Sequence, residues 1–146
     1  VGNKPFLPVR IIIHHSASED GKALHLPAIR AYHHSLGYHD VGYHAIIEEV
    51  DLGYEALYGR PLCLPGAHTK GHNDDSLGIC LVGNFSVSKP PHAQLLIAAR
   101  VVAQLCRVFS IPLTEIYPHS KFNATECPGI RFDMTAFIEK YVRSAL

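Results

Sequence analysis

A histidine and a cysteine stand eight positions apart in the stretch "YPHSKFNATECPG", Tyr117 to Gly129. The surrounding Pro, Ser, Asn and Gly mark an exposed loop, where a free thiol is vulnerable unless something holds it. His119 and Cys127 offer an imidazole nitrogen and a thiolate sulfur, donors that zinc binds at about 2.0 and 2.3 Å. A catalytic zinc takes three protein donors and keeps a fourth position for water or substrate. The third donor is best supplied by a rigid element, since strands hold geometry better than loops. His14 and His15 close the run "VRIIIHH", and successive strand side chains point to opposite faces, so one of the two can reach the metal. The plain alternative for either is a capped or surface histidine.

The elements that must position these groups are legible from hydrophobic periodicity. The β-branched run Val9 to His15 predicts a central strand buried on both faces. "LPAIRAYHHSLG", with Pro27 near its start and Gly37 at its end, reads as a helix with Leu26, Ile29, Tyr32 and His33 at helical spacing. "VGYHAIIEE" and "LGYEALYG" read as two strands of a hairpin around "VDLG". Arg60 to Ser76 is a long polar connection rich in Gly and Pro, and a loop of that length in a compact domain is functional or disordered. "LGICLVGNF" is a further apolar strand. Leu95, Leu96, Ala99, Val102, Ala103 and Cys106 line one face of a long helix ending near Phe109. Asp133 caps a last helix that buries Met134, Phe137, Ile138 and Tyr141. The expectation is a single α/β domain over residues 1–146, with a central mixed β-sheet flanked by about three main α-helices.

Composition narrows the function classes. The 146 residues suit one core, and 13 basic residues balance 13 acidic ones, so no field draws the chain toward nucleic acid or a lipid surface. Eleven histidines are many for this length, and neutral imidazole is the commonest metal ligand. Cys63, Cys80, Cys106 and Cys127 are widely spaced, and Cys80 and Cys106 read as small core residues rather than halves of a disulfide framework. No stretch is expected to be long and apolar enough to insert in a bilayer. No signal-peptide pattern opens the chain, which starts at Val1, so a removed leader or an upstream domain stays open.

Five blocks in order, "IIIHHSAS", "IRAYHHSLGYHDVGYHAII", "YGRPL", "GAHTKGHNDDSLGICLVGNF" and "PHSKFNATECPG", resemble the zinc amidase family that includes phage T7 lysozyme-type amidases and the peptidoglycan recognition proteins. The resemblance runs from about Val9 to the last helix. It implies one Zn2+ per chain held by His14, His119 and Cys127, with His15 not coordinated. It implies hydrolysis of the amide between N-acetylmuramic acid and L-alanine in bacterial peptidoglycan, by a phage endolysin or a bacterial autolysin acting on the cell wall. The alternative within the same fold is a non-catalytic recognition module, which commonly lacks the cysteine ligand. Zinc would polarise the scissile carbonyl and lower the pKa of its bound water toward about 7. Tyr43 matches the family's catalytic tyrosine, able to hydrogen-bond a developing oxyanion; core packing is its plain reading. Thr125 stands where some relatives carry a lysine, keeping a hydroxyl but adding no charge. The strand "GICLVGN" lacks the carboxylates of relatives that recycle anhydromuropeptides. The general base stays open between Tyr43, metal-bound hydroxide and the substrate itself.

The same resemblance sets "GAHTKGHN" beside the metal. His68 matches a residue facing the muramyl peptide, and Thr69, His72 and Asn73 offer neutral hydrogen-bonding groups. Arg60 is read as a partner for a stem-peptide carboxylate or as one half of a structural ion pair. His44 is read as a substrate-side, supporting or core histidine. Tyr32, His33 and His34 are expected on a groove wall. Peptidoglycan is the expected partner, the chain a monomer, with release from a host cytoplasm or secretion as its route to the wall.

Overall fold

The computed structural model describes residues 4–18 and 41–146. The expected helix over residues 26–37, with Tyr32, His33 and His34, lies outside the described residues. Among the described residues the chain runs β1 (Arg10–His15), β2 (Ala45–Val50), β3 (Gly53–Tyr58), β4 (Ser76–Leu81), α1 (His92–Phe109) and β5 (Ile116–Pro118). A last helix, α2, follows as an α-turn at Met134–Ala136, a π-helical stretch at Phe137–Val142 and an α-turn at Arg143–Ala145. The strands form one mixed sheet in the order β3-β2-β4-β1-β5. Only β2 and β3 pair antiparallel; β4 pairs parallel with both β2 and β1, and β1 parallel with β5.

The Ile triplet of β1 explains its central place. Ile11, Ile12 and Ile13 are all fully buried, and a strand covered on both faces needs apolar side chains at consecutive positions. Alternation then splits the residues. Ile11, Ile13, Ala45, Ile47, Leu77, Ile79 and Leu81 pack with the buried face of α1 in the main core. Ile46 and Cys80 join Val41, Val82 and Tyr43 in a second cluster. His14 pairs in register with Cys80, so it projects with that second set, away from α1.

α1 docks through an unusual contact for a helix start. Pro91 at its N-cap makes no side-chain capping bond, and the fully buried Gln94 instead donates to the carbonyls of Ile47 and Val82 at 3.0 and 2.9 Å. That pins the first turn to β2 and the end of β4. Contrary to the sequence expectation, this helix is by length and composition apolar enough to cross a membrane. Its apolarity has another destination, because Ala98, Ala99, Val102, Ala103, Leu105 and Cys106 are buried in the core against the sheet. Asp133 caps α2 as expected, accepting from the Ala136 backbone N–H at 2.9 Å. Phe137 and Val142 are its fully covered residues, while Met134, Ile138 and Tyr141 pack partly exposed at the rim. All four cysteines are free thiols, and Cys63 alone among them is exposed.

Candidate metal centre

β1 and β5 run parallel and side by side, with Ile13 opposite Pro118. A histidine stands at the carboxyl end of each: His14 is the penultimate residue of β1, and His119 follows Pro118, the last residue of β5. In sheets with parallel strands this edge is where ligands gather. The loop after His119 turns back, with the Ser120 N–H donating to the Cys127 carbonyl at 2.9 Å, and so returns the thiol to the two rings. One donor atom from each of His14, His119 and Cys127 lies within 4.8 Å of the others. The two imidazole centroids are 4.5 Å apart. His14 Nδ1 and Cys127 Sγ are separated by 3.7 Å, close to the edge of about 3.6 Å that a tetrahedral zinc with ordinary Zn–N and Zn–S lengths would span. The donor set therefore fits a zinc ion in both chemistry and spacing.

Burial sets the protonation of these donors. The buried position of His14 holds its ring well below the usual histidine range, with His68, His119 and His15 adding repulsion against a positive charge. His14 is thus neutral, the form that binds metal. Burial pushes the Cys127 thiol up to about 11, opposed by a hydrogen bond from the His15 backbone N–H, whose nitrogen is 3.4 Å from the sulfur. His15 itself turns to the other face, where its Nδ1 accepts from the Phe85 N–H at 3.1 Å.

Two further groups border the donors. The Tyr43 ring lies 5.1 Å from that of His14, centroid to centroid, and its hydroxyl hydrogen-bonds the buried Cys80 thiol. Thr125 is exposed and its Oγ1 accepts from the Cys127 N–H at 3.2 Å, which leaves the hydroxyl proton to point outward.

The family model for N-acetylmuramoyl-L-alanine amidase matches residues 4–130. The chain belongs to the N-acetylmuramoyl-L-alanine amidase family. Membership makes it an amidase by class, as the five sequence blocks implied. The amidase is 36% identical over 133 residues to a peptidoglycan-recognition protein of Drosophila melanogaster, covering 85% of this chain and 70% of that one. It is 31% identical over 135 residues to the endolysin of Enterobacteria phage K11, covering 89% and 85% of the two chains. Among solved structures it is similar to the amidase LysC from Clostridium intestinale URNW, with a TM-score of 0.82 at 26% identity over 92% of this chain and 85% of that one. A point mutant of the Drosophila recognition protein PGRP-LB, solved in complex with tracheal cytotoxin, is also similar, with a TM-score of 0.78 at 25% identity over 92% and 82%.

Within this amidase the connection over residues 60–75 is ordered by its own side chains. Asn73 Oδ1 accepts the backbone N–H groups of His68 and Thr69 at 2.8 and 2.9 Å. Arg60 donates to the Val41 and Pro65 carbonyls at 3.1 and 3.3 Å, and these bonds clamp the base of the loop. His44 is fully buried; its Nε2 donates to the Leu64 carbonyl and its Nδ1 accepts from the Gly78 N–H. With both nitrogens engaged, His44 supports the loop from beneath. The His72 ring packs tilted against Phe122, centroids 4.2 Å apart, and joins Arg10 and Asp75. Thr69 is buried, its Oγ1 within 3.3 Å of His14 Nε2.

His68 is the centre of this loop. Its Nδ1 lies 3.0 Å from His14 Nε2, and burial lowers its pKa to about 3. Two glycines make its slot: a Cβ on Gly78 or on Gly66 would fall 2.6 Å from a His68 ring carbon. A glycine inside the central strand β4 therefore has a packing cause. Sequence reasoning missed Asn123, which sits four residues after His119 and receives its Nε2–H at 2.8 Å. The short spacing from a ligand histidine to an amide side chain was the available signal.

Proposed function

We propose that this chain hydrolyses the amide bond between N-acetylmuramic acid and L-alanine in bacterial peptidoglycan with one zinc ion, as a phage endolysin or a bacterial autolysin. The observation that carries this reading is the convergence of His14, His119 and Cys127 donors within 4.8 Å of one another, in a chain of the amidase family. When bound, zinc supplies Lewis acidity toward the scissile carbonyl and lowers the pKa of water. The chain's own groups do the rest. His14 is kept neutral by burial, as a metal donor must be. Thr125, tethered through its oxygen to the Cys127 N–H, has a hydroxyl proton to donate toward the substrate carbonyl. Tyr43 lies against His14 and is the second group able to stabilise negative charge on that oxygen.

Similarity to endolysins and to a recognition protein solved with tracheal cytotoxin supports peptidoglycan as ligand and the cell wall as the place of action. His68 and His72 remain the proposed substrate-side residues of the loop, with Thr69, Asn73 and Arg60 shaping it. The second reading, a peptidoglycan-binding module without catalysis, draws on the same recognition-protein relatives. The complete donor set, Cys127 included, weighs against it.

Treatment with EDTA is expected to abolish release of stem peptides from purified peptidoglycan, and added Zn2+ to restore it, with mass spectrometry reading the products. Full activity in metal-free protein would defeat the proposal. Cys127→Ser is expected to lose metal and cutting while still sedimenting with peptidoglycan.

A further inference from the structure

Both metal-facing histidines use their far nitrogen in the same way. Asn123 fixes the proton on His119 by counting. Its Nδ2 donates to two carbonyls, Lys70 at 3.1 Å and Phe122 at 2.9 Å, which consumes both amide protons. The atom turned to His119 is therefore the carbonyl oxygen, at 2.8 Å from Nε2. An acceptor there requires the His119 proton on Nε2 and leaves Nδ1 bare. On the other side, His14 presents Nδ1 to Cys127, and an Nδ1 left bare for the ion of the zinc reading puts the ring proton on Nε2. Nε2–H meets His68 Nδ1 at 3.0 Å and Thr69 Oγ1 at 3.3 Å. The Thr69 hydroxyl can direct its own proton to His68 Nδ1, 2.9 Å away. His68 then holds its ring proton on Nε2, a buried atom without a hydrogen-bond partner among the described residues.

Both sides of the site reach the same three consecutive residues: His14 meets the His68 ring and the Thr69 hydroxyl, and Asn123 is held by the Lys70 carbonyl. We infer that residues 68–70, together with Asn123, are a single positioning element that sets both metal-facing histidines in the Nε2–H tautomer, so that two bare Nδ1 atoms face the ion before it arrives. Partners of this kind hold ring orientation and raise ligand basicity, and their loss typically costs about 10–100-fold in metal affinity. Because Lys70 belongs to the loop proposed to border substrate, the same element joins the groove wall to the metal. The inference rests on the zinc reading above.

The test uses the purified full chain, wild type and three variants, with Zn2+ as probe. Asn123→Leu keeps side-chain volume but removes the acceptor. Asn123→Asp keeps an acceptor for His119. His68→Phe keeps a ring in the glycine slot but removes the nitrogen facing His14. Zinc dissociation constants come from competition with a chromophoric chelator, and ring 15N shifts of the metal-free proteins report each histidine tautomer. Expected are Nε2–H tautomers for His14 and His119 in metal-free wild type, and zinc binding weakened about 10–100-fold in Asn123→Leu and His68→Phe. Asn123→Asp should fall closer to wild type than Asn123→Leu does. Variants that bind zinc like wild type, or a mixed His119 tautomer in metal-free wild type, overturn the inference and leave the zinc reading standing. Equal losses in Asn123→Asp and Asn123→Leu overturn the acceptor role in favour of loop packing. Absence of 1:1 zinc binding by wild type itself overturns the zinc reading, and the tautomer result still decides the inference.

Discussion

Cys127 carries the clearest conflict between fold and chemistry. Burial holds its thiol protonated, with a pKa pushed up to about 11, yet a metal donor must be the thiolate. A cation must therefore displace that proton, while His14 is already neutral. Zinc binding near pH 8 is expected to release about one proton from the thiol, and calorimetry in buffers of different ionisation enthalpy measures it; no release would mean the sulfur is not a donor. Tyr43 raises a different question, because its ring lies beside His14 while its hydroxyl bonds Cys80. If that hydroxyl serves the oxyanion, Tyr43→Phe should keep one zinc per chain and lower turnover by about 10²-fold or more, as loss of one oxyanion donor does. Unchanged turnover on peptidoglycan would return Tyr43 to packing in its small apolar cluster.

At the scale of elements, the parallel pair β1–β5 brings two histidines 105 positions apart in the chain to one sheet edge. β5 has three residues and contains Pro118, too short a run for periodicity to mark it as a strand. Proline is tolerated there because β5 is an edge strand whose free side needs no ladder bond. β4 contributes through an absence of side chain. Gly78→Ala would drive a Cβ to 2.6–2.8 Å from three atoms of the His68 ring, and the ring must leave its place against His14. Overpacking of this kind costs about 1–3 kcal/mol, so a lower urea midpoint and weaker zinc binding are expected together. A variant that loses neither would show that the slot can relax.

For the molecule as a whole, the crowd of buried histidines sets an acid limit. Burial is the main cause that lowers His14, His68 and His44 below the ordinary value of 6.5, with His68 at about 3. The unfolded chain binds protons at 6.5 and the fold resists them, so stability is fully present above that pH and falls as pH drops from 6.5 toward 3. At pH 5 keeping His68 neutral costs on the order of 2 kcal/mol relative to pH 7, and His14 and His44 act in the same direction. Urea unfolding of the metal-free protein at both pH values checks this. Equal stability at the two, after comparison with His68→Phe, would remove the histidines from the account.

The chain's pattern of apolar residues determined the buried β1, the β2–β3 hairpin, the long core helix and the Asp133 cap, because alternation, periodicity and capping act over a few neighbouring positions. The five sequence blocks likewise carried the family and named the donors His14, His119 and Cys127. Tertiary structure alone decided which nitrogen of each histidine faces the site. It turned His44 and Arg60 into supports of the loop, and it drew His68, Thr69 and Asn123 against the donor rings. The roles of His68 and Thr69 depend on a partner 54 and 55 positions away along the chain, and no local spacing encodes a proton count across such a distance.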